Sequence, residues 1–374
     1  MIVPANDLRI TLDVNALEPH LGGIGRYTWE LSRRLPRHDG IASVDYFARG
    51  RRLADPDVLL TGAPLPPRPR FFRSWRERRE HQRLQGGLFH GPNYFLPDWV
   101  SRGVITIHDL SVFRFPETHP AERVMAFEKE FLSSLNRAVH VLTDTETVRA
   151  ELIEDFGVDP AIVSAVHLGV DPVFRPRSGD ELAGPLARLS LEPGTYGLCV
   201  STLEPRKKIL ELIEAWRMLP VAIRTKHPLV LAGGKGWRNE ELQRRVDAGV
   251  AEGWLRHLGF VDESDLPALY AGAALFLYPS SYEGFGLPPL EAMASGVPVI
   301  VSNRSCLPEV CGDAARYIDP DDIDTFSAQV AASLGDPAWR QEATGRGLLR
   351  ASRFTWDRCI DSTVDAYRTA AAAP

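Results

Sequence analysis

The chain has 374 residues, a net charge of −6, 44% hydrophobic and 25% charged residues, and four cysteines. That is too long for one ordinary hydrophobic core and predicts about two domains, while the composition excludes wholesale disorder. No apolar run approaches the roughly 18 residues of a membrane span, the first seven residues lack the basic and apolar regions of a signal peptide, and Cys199, Cys306, Cys311 and Cys359 show no paired C-x-x-C spacing, so they read as reduced thiols of a cytoplasmic chain.

Short apolar, β-branched runs alternate with amphipathic stretches along most of the chain. Residues 8–14 predict a strand and 27–35 a helix. A strand at 103–107 precedes a helical stretch at 122–136, and a strand at 139–143 precedes a helix at 147–156. Such alternation implies βαβ units and a parallel sheet with helices on both faces. Over 171–194 the rhythm breaks: Pro172, Pro176, Pro185 and Pro193 mix with Gly179, Gly184 and Gly194. That pattern predicts a first domain at 1–178 and an interdomain linker at 179–194. Strands at 196–201, 229–232, 273–278 and 297–301, with helices at 209–218 and 289–294, then predict a second domain at 195–355. A last helical stretch at 356–369 opens a C-terminal segment, 356–374, that is free to cross back to the first domain. The expected fold class is α/β: two Rossmann-like, doubly wound domains facing across a crevice, with ligands at the carboxyl ends of the strands.

The charge is unevenly spread. Basic and acidic residues balance over 1–178, so the whole acidic excess lies in the remainder. Within the balanced half, 68–83 concentrates seven arginines (68, 70, 73, 76, 78, 79 and 83) against Glu77 and Glu80, interleaved with Phe71, Phe72 and Trp75. The segment suits an anionic membrane surface or a phosphate-rich acceptor. Equally, it suits a solvated helix whose aromatics face the core. The acidic net charge argues against a nucleic-acid binder.

The stretch from Pro279 to Glu291 follows a strand and opens a helix, with prolines in the first turn, where a missing N–H costs nothing. Gly284 and Gly286 let the backbone approach a ligand closely, and amides at a helix start suit a phosphate or sugar hydroxyls. Glu283 and Glu291, eight residues apart, can accept hydrogen bonds from hydroxyls of a sugar and a ribose. Arg206 and Lys207 follow a strand and Pro205, so two surface cations meet the mouth of the crevice. Gly22-Gly23-Ile24-Gly25 forms another glycine-rich strand-to-helix turn. It is not a G-x-G-x-x-G fingerprint, which disfavours a nicotinamide-dependent dehydrogenase. His108 and Asp109 end a strand aimed at the crevice, and His90 and Asn93 end another. Each feature also has a plain reading as a tight turn, a core histidine or a solvent-facing acid. The cysteines and histidines lack metal-ligand spacing and Asp109 has no second acid in a D-x-D pattern, so no metal is expected.

Together these stretches resemble the retaining glycosyltransferases of family 4, which have the GT-B architecture. Residues 283–291 are similar to the family's E-x7-E signature. The similarity continues in order through 22–27, 89–94, 106–110, 203–207, 231–234, 259–261 and 294–299. The resemblance implies that Arg206 and Lys207 bind the diphosphate and that Glu291 binds the ribose. Glu283 would lie near the donor sugar, alongside the backbone of Gly284, Phe285, Gly286 and Leu287. Gly23 would close over the diphosphate, Phe260 and Val261 would present backbone to the base, His108 would bond a donor-sugar hydroxyl, and His90, Asn93 and Asp109 would lie on the acceptor side. Many similar sequences carry Arg at Thr202 and Asn or Gly at Lys208, which leaves the diphosphate to Arg206 and Lys207, with Lys208 as a helper. The activity implied is hexose transfer with retention, mannose or D-rhamnose favoured, from a nucleotide-sugar donor, GDP-linked favoured. The acceptor would be a glycan or lipid-linked saccharide in cell-surface polysaccharide assembly, and no cofactor or metal would be needed. A UDP, ADP or dTDP sugar donor, a nucleotide-sugar epimerase or hydrolase, and a non-catalytic scaffold are the alternatives.

Overall fold

A segment buried on both faces, such as GVITI, fits only inside a sheet covered on both sides, whereas LRITLD alternates Leu8, Ile10 and Leu12 with Arg9, Thr11 and Asp13. In the computed structural model, which describes residues 8–66, 73–84, 86–118, 121–234 and 240–373, both are central parallel strands. The chain divides into two units, Met1–Gly169 with Trp356–Pro374, and Val170–Thr355.

In the first unit, β1 (Leu8–Asp13), β2 (Ile41–Ala48), β3 (Arg51–Leu53), β4 (Leu88–Gly91), β5 (Gly103–Ile107), β6 (Ala138–Thr143) and β7 (Val163–Ala165) form one sheet. Its order is β3-β2-β1-β4-β5-β6-β7, with every pair parallel except β2 and β3. The order reverses between β1 and β4, and such a reversal leaves a crevice outside the carboxyl ends of the two strands. The helix Trp356–Ala372 belongs to this unit. Trp356, Cys359, Ile360, Thr363, Val364 and Tyr367 are buried at helical spacing, the stripe that a helix presents to a core.

The second unit holds β8 (Gly197–Val200), β9 (Leu229–Ala232), β10 (Leu255–Gly259), β11 (Leu275–Tyr278), β12 (Val299–Ser302) and β13 (Ala315–Ile318). All pairs are parallel, in the order β10-β9-β8-β11-β12-β13, so this sheet reverses between β8 and β11. Gly233, just after β9, has φ 135°, and a Cβ there would stand 2.0 Å from the Ser201 carbonyl oxygen. Only glycine lets the ends of β8 and β9 come that close.

The expected linker is not one. The division falls at Gly169 and Val170, and Gly179–Arg188 is a helix with Pro185 inside it. Ser178 and Glu181 make a reciprocal capping box, which starts a helix that the proline and glycine content conceals. The described part of the basic stretch lies on a helix, Arg73–Leu84, of which Arg79 and Arg83 are exposed and Leu84 is buried. Arg68, Arg70, Phe71 and Phe72, and the side chains of Arg73, Trp75, Arg76 and Arg78, lie outside the described residues. No described helix is long and apolar enough to cross a membrane. All four cysteines are buried, and none is in a disulfide.

Candidate active site

The turns after β8 and β11 flank the reversal point of the second unit. A short 3-10 turn, Pro205–Lys207, follows β8 and carries the two predicted cations. Lys208 ends it at φ 55°. That left-handed conformation favours Gly or Asn, the residues that the resemblance leads one to expect at this position. The Lys208 ammonium bonds Glu211 and Asp321 at 2.8 Å each, so it is engaged outside the cluster formed by its neighbours.

Lys207 is buried, not a surface cation: it is 8% exposed. Its Nζ donates to Glu283 Oε1 at 2.5 Å and to the Tyr278 hydroxyl at 3.2 Å. Arg206 Nη1 donates to the Tyr282 carbonyl at 2.5 Å and lies 3.5 Å from Glu283 Oε2, while Nη2 donates to Glu204 Oε1 at 2.8 Å. Two cations thus meet two carboxylates in a nearly dry cluster. Burial by itself would raise the Glu283 pKa, but the adjacent charges of Lys207 and Arg206 hold it down at about 2.

Backbone bonds fix the frame of this cluster. The Arg206 carbonyl accepts from Ser281 N and Oγ at 2.9 Å each and from Ser280 Oγ at 3.3 Å. From the turn after β12, Ser305 Oγ donates to the Glu283 carbonyl at 2.7 Å and accepts from its amide at 3.3 Å. Cys306 Sγ donates to the carbonyls of Glu283 and Phe285 at 3.1 Å each. Sequence reasoning missed Glu204, Ser305 and Cys306. Finding the last two requires knowing that β12 lies beside β11, and no local spacing reports that.

The remaining donor-side residues are placed as follows. Gly284, Phe285 and Gly286 are buried, and Gly286 starts the helix Leu287–Ala294 with φ 100°. Pro288 and Pro289 have no N–H, so among the first three helical positions only Leu287 offers an amide. The Phe285 ring packs edge-on against Phe354, so its side chain serves the core. Glu291 is half-buried near the Tyr270 hydroxyl, whose pKa burial and then Glu291 push up. Phe260 is 61% exposed and Val261 half-buried, in the turn after β10. That turn is two strands from β8, about 10 Å along the sheet.

In the first unit, Gly23 is the exposed first residue of the helix Gly23–Arg34. A Cβ on the preceding Gly22 would meet nothing within 4 Å, so local packing does not demand glycine there. His108 Nδ1 bonds Asp144 Oδ2 and Nε2 bonds the Pro92 carbonyl, both at 2.8 Å. Both partners can accept, so this geometry suits a ring protonated on both nitrogens. Burial opposes that charge, but Asp144 outweighs it and the His108 pKa is raised. Neither nitrogen is left for a donor-sugar hydroxyl.

Two acceptor-side expectations are corrected. His90 is fully buried, with Nδ1 2.7 Å from the Tyr367 hydroxyl and Nε2 2.8 Å from Thr106 Oγ1. Burial drives its pKa down to about 3, so it is a neutral core histidine that ties the last helix to the sheet. Asp109 Oδ1 accepts from Ser111 N at 2.9 Å and Ser111 Oγ at 2.7 Å, shaping the turn into Ser111–Arg114. Asn93 is exposed and lines a cavity with Asp13. Among the described residues, no three His, Cys, Asp or Glu side chains gather as metal ligands would.

Residues 21–174 match the family model "Glycosyltransferase Family 4" and residues 190–347 match "Glycosyl transferases group 1". The chain is 38% identical over 379 residues to the O-antigen chain mannosyltransferase B of Escherichia coli, covering 96% of this chain and 100% of that one. Among solved structures it is similar to Anabaena Alr3699/HepE in complex with UDP and glucose (TM-score 0.73, 17% identity, 96% and 98% covered). It is also similar to WaaG, a glycosyltransferase involved in lipopolysaccharide biosynthesis (TM-score 0.69, 14% identity, 95% and 98% covered). At those identities the two structures speak for the fold alone. With two Rossmann-like units and full-length similarity to a glycosyltransferase, the chain belongs to the group 1 and family 4 glycosyltransferases of GT-B fold.

Proposed function

We propose that this glycosyltransferase moves a hexose, mannose above D-rhamnose, from a nucleotide diphosphate donor, GDP-linked, to a saccharide acceptor in O-antigen-type polysaccharide assembly. The observation that carries the reading is the cluster of Arg206 and Lys207 held by Glu283 and Glu204 at the reversal point of the second unit. Full-length identity of 38% to a mannosyltransferase favours mannose.

The geometry suggests how the chemistry runs. The diphosphate takes the two cations, and Glu283, released from Lys207, accepts hydrogen bonds from the donor sugar. Glu291 accepts from the ribose. As the bond between the anomeric carbon and the phosphate oxygen breaks, negative charge grows on the leaving diphosphate, and Arg206 and Lys207 stabilise it in a site of low polarity. The acceptor oxygen bonds the anomeric carbon on the face that the phosphate leaves, and its proton passes to a phosphate oxygen. Retention follows, with no side-chain base and no metal ion.

A thermal-shift panel of GDP, UDP, ADP, dTDP and their sugar conjugates tests the donor. Selective stabilisation by GDP and GDP-mannose is expected, and a preference for UDP or ADP would reject the GDP assignment. The anomeric proton of the transferred sugar, read by NMR, tests retention; an inverted product rejects the same-face mechanism. The exposed Arg79 and Arg83 support peripheral attachment of the helix Arg73–Leu84 to the inner face of the cytoplasmic membrane. Co-sedimentation with anionic liposomes that Arg79→Glu and Arg83→Glu leave unchanged would reject it.

A further inference from the structure

Two turns of the second unit hold Glu283, and in each the adjoining residue reaches the same third carboxylate. In the turn after β8, Lys207 bonds the Glu283 side chain, and the next residue, Lys208, places Nζ 2.8 Å from Asp321 Oδ1. In the turn after β12, Ser305 exchanges two hydrogen bonds with the Glu283 backbone, and the preceding residue, Arg304, donates from Nη2 to Asp321 Oδ2 at 2.6 Å. Asp321, in the turn after β13, closes a ring of contacts around Glu283, with one oxygen for each turn.

Both turns need holding. Lys208 has φ 55° and Ser305 has φ 54°, a left-handed backbone that residues with a Cβ disfavour. Such conformations persist where surrounding contacts over-determine them. Asp321 is itself placed: its amide donates to Asp319 Oδ1 at 3.0 Å, and Arg304 Nη2 bonds that same oxygen at 2.6 Å. The bonds from Lys208 and Arg304 hold the Asp321 carboxyl below its usual range, so it is ionised and both bonds are charge-assisted. The other partner of Lys208, Glu211, lies on the helix Ile209–Arg217 directly after the same turn, and joins no second turn.

We infer that Asp321 is a positioning residue of the donor site: by bonding Lys208 and Arg304 at once, it fixes the two turns from which Lys207 and Ser305 grip Glu283. The inference rests on the glycosyl-transfer reading, in which Lys207 and Glu283 meet the donor, and adds a residue that acts through them. It also gives lysine at 208 a purpose. Glycine would take the left-handed turn without a Cβ penalty, whereas lysine takes it with a restraint supplied from outside, through its ammonium.

The test uses the full chain, with calorimetric titrations of GDP-mannose and UDP-glucose and a melting temperature for each variant. Asp321→Ala and Lys208→Ala should each weaken binding of the preferred nucleotide sugar by about tenfold. Melting should fall by no more than about 2 °C, since the Asp321 side chain is 51% exposed and such pairs add little stability. Lys208→Gly should bind within about threefold of the wild type, and adding it to Asp321→Ala should recover most of the lost affinity, because glycine needs no clamp. Glu211→Gln should bind as the wild type does. Raising KCl from about 50 to about 500 mM should narrow the ratio between wild type and Asp321→Ala, because salt screens the exposed clamp in the first and meets none in the second.

Unchanged affinity in Asp321→Ala would overturn the inference and leave glycosyl transfer standing. Lys208→Gly binding as weakly as Lys208→Ala would do the same, as would an equal loss in Glu211→Gln. An affinity loss that follows a large fall in melting temperature would make Asp321 a stabilising residue only. Absence of wild-type binding to either nucleotide sugar would bring down the glycosyl-transfer reading, and this inference with it.

Discussion

The Lys207 ammonium donates to Glu283 Oε1 at 2.5 Å, joining the turn after β8 to the turn after β11 where the sheet of the second unit reverses. The bond gives Lys207 a structural role besides the diphosphate contact proposed for it. Glu283 is the anion that lets a cation remain buried there.

Removing one partner leaves the other buried with too little compensation, which typically costs about 3–5 kcal/mol. Lys207→Ala should therefore lower the unfolding free energy by roughly that amount and reduce transfer by about 100-fold or more. Adding Glu283→Gln to Lys207→Met should recover much of the stability without recovering activity. Denaturant titrations beside turnover measurements check this; a single variant as stable as the wild type contradicts it.

Acid should loosen the same cluster. Glu283 titrates near 2 in the fold against 4.5 ordinarily, so its ionised form favours the folded state above pH 4.5. That contribution is lost as pH falls from about 4.5 toward 2, and amounts to about 3 kcal/mol. Melting temperatures from pH 6 to pH 2 should fall more steeply for the wild type than for Glu283→Gln. Parallel curves would remove the basis for the depressed pKa.

Asp13 should show the opposite sign. Its folded pKa of about 6 lies above the ordinary 3.8, so the ionised form disfavours folding above pH 6. Asp13→Asn should thus stabilise the protein at pH 7–8 by on the order of 2–3 kcal/mol, an advantage that shrinks below pH 6 and vanishes below about 4. A pH-independent change in melting temperature would show that the carboxylate is well solvated.

His90 should behave as a core residue. His90→Ala removes bonds to Tyr367 and Thr106 and leaves a cavity, at about 2–4 kcal/mol. Its kcat/KM per folded molecule should stay near that of the wild type. An unchanged melting temperature with a raised acceptor KM would return His90 to the acceptor side.

Ser305 should act through Glu283. It has φ 54° and exchanges two hydrogen bonds with the Glu283 backbone. Ser305→Gly suits that backbone and Ser305→Ala does not, so the glycine variant should be the more stable by about 1 kcal/mol. Both should raise the donor KM by about tenfold. Wild-type donor kinetics in both variants would show that the Glu283 loop holds its shape unaided.

Much of the site was legible because its signals are local. Alternating strands and helices imply doubly wound sheets, and the turn residues around Gly286 and Pro288 mark a strand passing into a helix. Charge at 206, 207 and 283 falls on the turns that such sheets expose at their carboxyl ends, and Glu291 on the helix that follows. The helix Gly179–Arg188 was illegible for the converse reason: its prolines and glycines speak for a linker, and the short-range bond between Ser178 and Glu181 overrides them.

The sequence by itself determined the family, the GT-B fold class, which turns carry Arg206, Lys207 and Glu283, and that a helix carries Glu291, because periodicity and motif order are properties of neighbouring residues. Only the tertiary structure decided that Lys207 is buried against Glu283, that Ser305 and Cys306 brace the loop from the next strand, and that His90 belongs to the core beside Tyr367. It also placed Asp13 at a cavity where β1 and β4 part. Each of those outcomes depends on strand order, which brings together residues from about 16 to 277 positions apart, and on burial, which sets the ionisation of a carboxylate or imidazole through surroundings that no short stretch of sequence contains.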